Sequence, residues 1–93
     1  AICERESPYD VLVSKSGKSL MELPKNASIG TSSIRRGAQL LRLRKDLAIT
    51  HLRGNVDTRL KKLRDGELHL DAIILAQAGL LRLGLGHEIT QIL

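Results

Sequence analysis

The segment Asp71-Ala72-Ile73-Ile74-Leu75-Ala76 is apolar at every position after its first. A strand with that pattern has no face to offer to water, so it predicts a largely parallel sheet with helices covering both sides. The rest of the chain supplies the cover. Asp10-Val11-Leu12-Val13-Ser14 reads as a first strand followed by turn residues, and Ser19 to Leu23 as one or two helical turns before Pro24. Ala27-Ser28-Ile29-Gly30 and Leu47-Ala48-Ile49-Thr50-His51-Leu52 read as the second and third strands. From Ser33 onward Ile34, Ala38 and Leu41 recur at helical spacing, with Arg35, Gln39 and Arg42 on the other side, so Ile34, Ala38 and Leu41 are the expected core face. Asn55 is a credible N-cap for a helix through Val56, Leu60 and Leu63 that Gly66 ends. Ala78 to Leu83 predicts a short helix stopped by Gly84 and Gly86, and Glu88 to Leu93 a further turn or two of helix. The alternation of strands and helices gives an α/β fold: a mixed, largely parallel sheet with helices on both faces.

An apolar fraction of 42% over 93 residues is enough for one core, and residues 1–93 are read as a single domain. A formal net charge of +5 favours an anionic partner. With no Phe, no Trp and only Tyr9, the stacking platforms used by binders of single-stranded nucleic acid are missing. The single cysteine, Cys3, forms no internal disulfide and fits no metal spacing, which makes a reducing cytoplasm the easier setting. No apolar run approaches the roughly 20 residues of a membrane span, and no signal-peptide pattern is present. Ala1 to Ser7 resemble mid-chain linker or a leading strand, and Ile89 to Leu93 stop on an apolar pattern, so a piece of a larger protein is expected.

Two turns carry the chemistry. Gly30-Thr31-Ser32-Ser33-Ile34-Arg35-Arg36 and Arg53-Gly54-Asn55-Val56-Asp57-Thr58-Arg59 each lead from a strand into a helix, where free backbone N–H groups and guanidinium forks suit carboxylates or phosphates. Both fall at the carboxyl ends of strands, where open α/β sheets gather ligands. Gly30 would let backbone approach a ligand. An ordinary capped helix explains Thr31 and Ser33 equally well, but Arg35 and Arg36 in a first helical turn oppose the dipole unless an anion is near. Arg53 and Arg59 lean to the same mouth. Lys61, Lys62 and Arg64 read as a solvated helix face, and Arg82, near a helix C-terminus, is explained by the dipole alone. His51, His69 and His87 are scattered, and no catalytic acid–base set, metal cluster or nucleotide fingerprint emerges.

Those two turns, together with Asp71-Ala72-Ile73-Ile74-Leu75-Ala76-Gln77-Ala78-Gly79-Leu80 and the opening Ile2-Cys3-Glu4-Arg5-Glu6 with Pro8 and Asp10, resemble the porphobilinogen deaminase (hydroxymethylbilane synthase) family across nearly the whole chain. The resemblance implies one lobe of a periplasmic-binding-protein-like fold, here the second of three domains, with the first and third absent. It implies a cytoplasmic, monomeric enzyme that joins porphobilinogen units head to tail, releasing ammonia, into the linear tetrapyrrole of haem biosynthesis. It also implies a dipyrromethane cofactor held by a cysteine of the third domain, not Cys3, and a catalytic aspartate in the first, so this fragment alone should be inactive. Carried over by position, Arg35, Arg36, Arg53, Arg59 and Arg82 would bind acetate and propionate side chains of the cofactor and growing chain. Thr31, Ser33, Asn55 and the backbone around Leu75, Ala76 and Gly79 would add contacts. Glu67-Leu68-His69-Leu70 looks longer than the family's usual connection. A non-catalytic lobe of a two-domain binding protein and a basic nucleic-acid binder are the competing readings.

Overall fold

The computed structural model describes residues 10–66 and 69–93. The expectations for Cys3, for the opening linker and for Glu67-Leu68 lie outside the described residues. Five strands form one sheet: β1 (Asp10–Ser14), β2 (Ser28–Thr31), β3 (Ala48–His51), β4 (Ala72–Ala76) and β5 (Gln91–Ile92), in the order β3-β2-β4-β1-β5. β2 runs parallel to both β3 and β4, while β1 is antiparallel to β4 and β5, so four strands point one way and β1 the other. Helices α1 (Ile34–Leu43), α2 (Val56–Asp65) and α3 (Gln77–Arg82) follow β2, β3 and β4 in turn. The mixed, largely parallel sheet is the expected one.

Alternation along the two central strands splits the core in two. Val11, Val13, Ile73 and Leu75 face one side and pack with Leu60 and Leu63 of α2 and Leu80 of α3. Leu12, Ala72 and Ile74 face the other and pack with Leu40 of α1, with Leu20 of a 3-10 turn (Leu20–Glu22) and with Leu23 just after it. β4 is thus buried on both faces, which is why its sequence carries no polar alternation. Beside it, β1 shows an unbroken Val-Leu-Val for the same reason.

Two elements depart from expectation. The core face of α1 is Gly37 and Leu40, not Ile34, Ala38 and Leu41: Ile34 is 84% exposed and Leu41 37%. Gly37 decides this, because a Cβ there would stand 3.0 Å from the Ile49 side chain, so the helix lies against β3 through the one residue without a side chain. The segment after Gly86 is a 3-10 turn (Gly86–Glu88) and then β5, not helix. Pairing with β1 wins there: Thr90 N–H donates to Leu12 O at 2.8 Å and Leu93 N–H to Asp10 O at 2.9 Å. Gln91 Oε1 also accepts Leu20 N–H at 2.8 Å, tying the last strand to the 3-10 turn.

The rim opposite the carboxyl ends of β2, β3 and β4 is sewn by polar side chains. Arg44, at the end of α1, donates through Nη1 to Leu20 O (2.9 Å) and Leu23 O (2.8 Å), and through Nη2 to Pro24 O (3.2 Å) and Asp46 (2.6 Å). Asp46 in turn accepts Asn26 N–H at 2.9 Å, and these bonds, above all those from Arg44, hold its carboxyl at a pKa of about 2. Arg64 of α2 is not simply solvated as expected, for it pairs with Glu88 ahead of β5 and lowers the pKa of that carboxyl. Asp71 accepts Ser28 N–H at 2.8 Å, joining the starts of β4 and β2.

Candidate anion-binding site

Because β2, β3 and β4 are parallel, their carboxyl ends share one rim. Thr31 and His51, the last residues of β2 and β3, are paired in register, and β4 runs on to Ala76. Antiparallel β1 brings its first residue, Asp10, opposite Ala76 at that same rim. Each parallel strand then turns directly into a helix, so the starts of α1 and α2 stand over it.

Capping fixes these starts. Ser33 Oγ accepts Arg36 N–H at 3.1 Å, Thr31 Oγ1 accepts Ser33 N–H at 3.1 Å, and Asn55 Oδ1 accepts Thr58 N–H at 2.9 Å. Thr31 is buried and Leu75 is too, so Leu75 reaches the rim with backbone only, while Ala76 is exposed. Gly54, with φ +112°, makes the sharp entry to α2, and its carbonyl accepts Arg59 Nε–H at 2.8 Å, which folds the Arg59 side chain back over the turn. Arg36 makes an ion pair at this rim: its Nε and Nη2 both donate to Asp10 Oδ2, at 2.9 and 2.8 Å. Arg35 and Arg53 are exposed and have no hydrogen-bond or ion-pair partner among the described residues.

Two grooves open beside these groups. One, of about 320 Å³, lies between α1 and the edge strand β3, with Thr31, Ser33, Ile34, Ala38, Ile49 and His51 on its walls. The other, of about 220 Å³, brings Asn55 and Asp57 of the α2 start against Gly79 and Arg82 of α3. Of the predicted site residues, Thr31 and Ser33 line the first groove, and Asn55, Gly79 and Arg82 the second. Gly79 has a packing reason as well, since a Cβ there would stand 3.1 Å from Val56. Gly30 has a packing reason too: an added Cβ would meet Leu52 at 2.9 Å and Leu70 and Ile73 at 3.3 Å, so the core alone accounts for a glycine there.

Asp10 and His51 were not among the predicted site residues. No local pattern reveals Asp10, which is 26 positions from Arg36 in the chain and reaches it only through the strand order. Carboxylates whose pKa the fold lowers, Asp46 and Glu88, serve ion pairs away from this rim, and Glu22 is lowered by its hydrogen bonds to the Ser19 backbone and hydroxyl. Among the described residues no cluster of His, Cys, Asp and Glu is placed to hold a metal, and no helix is long and apolar enough to cross a membrane. The arrangement is suited to gripping fixed negative charge: two helix starts, two guanidinium groups without a partner among the described residues, and two that are held in place.

Comparison with known proteins gives this rim a context. The family described as porphobilinogen deaminase, dipyromethane cofactor binding domain, matches residues 1–93. A probable porphobilinogen deaminase of Archaeoglobus fulgidus is 58% identical over 89 residues, which is 96% of this chain and 30% of that protein. The porphobilinogen deaminase of Legionella pneumophila is 58% identical over 93 residues, all of this chain and 29% of that protein. The chain thus spans about 30% of the length of the curated relatives it matches. Matched from end to end by the model described as the dipyromethane cofactor binding domain, the chain belongs to the porphobilinogen deaminase family.

Proposed function

We propose that this domain is the carboxylate-gripping part of a porphobilinogen deaminase, the cytoplasmic enzyme that joins porphobilinogen units into hydroxymethylbilane with loss of ammonia. Its neighbours in the reading are a first and a third domain of the same polypeptide. The observation that carries the reading is the common origin of Arg35, Arg36, Arg53 and Arg59 at the carboxyl-end rim of β2 and β3. Each pyrrole unit brings two carboxylates, so the ligand gains negative charge as it lengthens. Planar guanidinium groups that stay protonated pair with such carboxylates bidentately, which a lysine ammonium does not. The donor set fits a dipyrromethane cofactor, whose acidic side arms Arg35, Arg53 and Arg59 would hold; when bound, the cofactor supplies the end to which new units are added. Arg82, Asn55 and the backbone of Ala76 and Gly79 would line the path beside it. This domain binds and orients; bond making needs groups that lie outside it.

Arg35→Ala and Arg53→Ala in the full-length protein test the reading. Each should weaken binding of a carboxylated dipyrromethane by about 1.5–3 kcal/mol, the range for losing a hydrogen bond to a charged group. Neither should change binding of the corresponding ester. The 93 residues alone should form no tetrapyrrole, and measurable turnover of porphobilinogen by them would contradict the assignment of catalysis to other domains. Strong oligonucleotide binding with none to the dipyrromethane would instead favour a nucleic-acid function.

A further inference from the structure

A guanidinium group has two edges able to take a carboxylate, Nε with Nη2 and Nη1 with Nη2. In Arg36 the first edge is taken by a single oxygen, Oδ2 of Asp10, through bonds of 2.9 and 2.8 Å. Nη1 has no partner among the described residues, so the second edge is open with respect to them. The two side chains are 25% and 34% exposed, so the pair sits partly in the protein, at the mouth where β1 starts and β4 ends. The backbone N–H of Arg36 is itself held by Ser33 Oγ at 3.1 Å. The residue is fixed at both ends.

We propose that Asp10 is a positioning residue of the carboxylate-binding rim, holding the Arg36 guanidinium by its Nε–Nη2 edge so that the Nη1–Nη2 edge is presented to a carboxylate of the pyrrole ligand. The inference rests on the reading of the rim as a carboxylate site. A free arginine loses up to about 2 kcal/mol of rotamer freedom when a ligand immobilises it. Asp10 imposes that order before the ligand arrives. Its charge also answers the conflict created by two arginines and no acid in the first turn of α1, where the helix dipole disfavours cations. Arg35, on the same turn, has no such partner among the described residues and contributes charge without a fixed direction from them.

The test is a titration of the full-length protein with a tetra-acid dipyrromethane and, in parallel, with its tetra-ester, so that the ratio of the two affinities isolates carboxylate recognition from general packing. Wild-type protein should prefer the acid, and Arg36→Ala should reduce that preference. Asp10→Ala should reduce it by about tenfold, the size expected for one misaligned charge-assisted pair, with ester binding unchanged. Asp10→Asn keeps the shape and one acceptor and should fall between, which also guards against a variant that fails to fold. Adding Asp10→Ala to Arg36→Ala should cost nothing more. An unchanged or increased acid preference in Asp10→Ala and Asp10→Asn would overturn the positioning role while leaving the rim intact. Absence of acid preference in wild type, or an Arg36→Ala variant that retains it, would overturn the role together with the reading of Arg36 as a ligand group.

Discussion

At the scale of single residues, close contact and fixed charge decide what each position does. Gly30 lies in β2 beneath Leu52, Leu70 and Ile73, and a methyl group has no room among these three. Gly30→Ala should destabilise the domain by about 1–3 kcal/mol through overpacking, read as a lower denaturant midpoint with an unchanged slope. Arg44 is 11% exposed and holds three carbonyls and Asp46. Arg44→Ala should cost about 2–3 kcal/mol, because buried acceptors lose a charged donor. The partner sets a pH dependence whose sign follows from its shift. The Asp46 carboxyl, ordinarily near 3.8, is held at about 2 in the fold. Its contribution is therefore complete above the ordinary value and is lost as pH falls through the folded one. In wild type, acid titration should show a stability loss between about pH 4 and pH 2 that Asp46→Asn lacks.

At the scale of elements, local signals were enough wherever an element's own residues settle its state. β1 and β4 are apolar runs bounded by turn residues, and α2 is bracketed by Asn55 as N-cap and Gly66 at φ +69°. Their bounds follow from the chain itself. α1 was legible as a helix but not in its orientation. Apolar periodicity favours Ile34, Ala38 and Leu41, whereas the approach of β3 to Gly37 turns that stripe outward. Hydropathy weighs glycine as neutral and does not register close approach. β5 was not legible at all, since two residues acquire strand character only when β1 is beside them. Within the candidate site the caps Ser33 and Asn55 could be read from their neighbours, while the Asp10–Arg36 pair is a product of strand order. The Arg64–Glu88 pair is likewise tertiary: it links α2 to the turn before β5. Glu88→Gln should accelerate amide hydrogen exchange at Thr90 and Leu93, which donate to β1, while leaving the β4 amides protected.

At the scale of the molecule, the direction of the strands separates two kinds of work. One rim is sewn shut by Arg44, Asp46 and Asp71, and the other carries the helix starts and the guanidinium groups. Net charge of +5 is thus not merely a bulk property, because part of it is placed where parallel strands end. The apolar stripe of Ile34 and Leu41 borders that rim and gives its first groove an apolar wall. The most direct test is a crystal structure of the full-length protein with its dipyrromethane in place. Pyrrole carboxylates should lie within hydrogen-bond distance of Arg35, Arg36, Arg53 and Arg59, at the ends of β2 and β3. Pyrroles seated instead at the opposite rim, beside Asp46 and Asp71, would contradict the account.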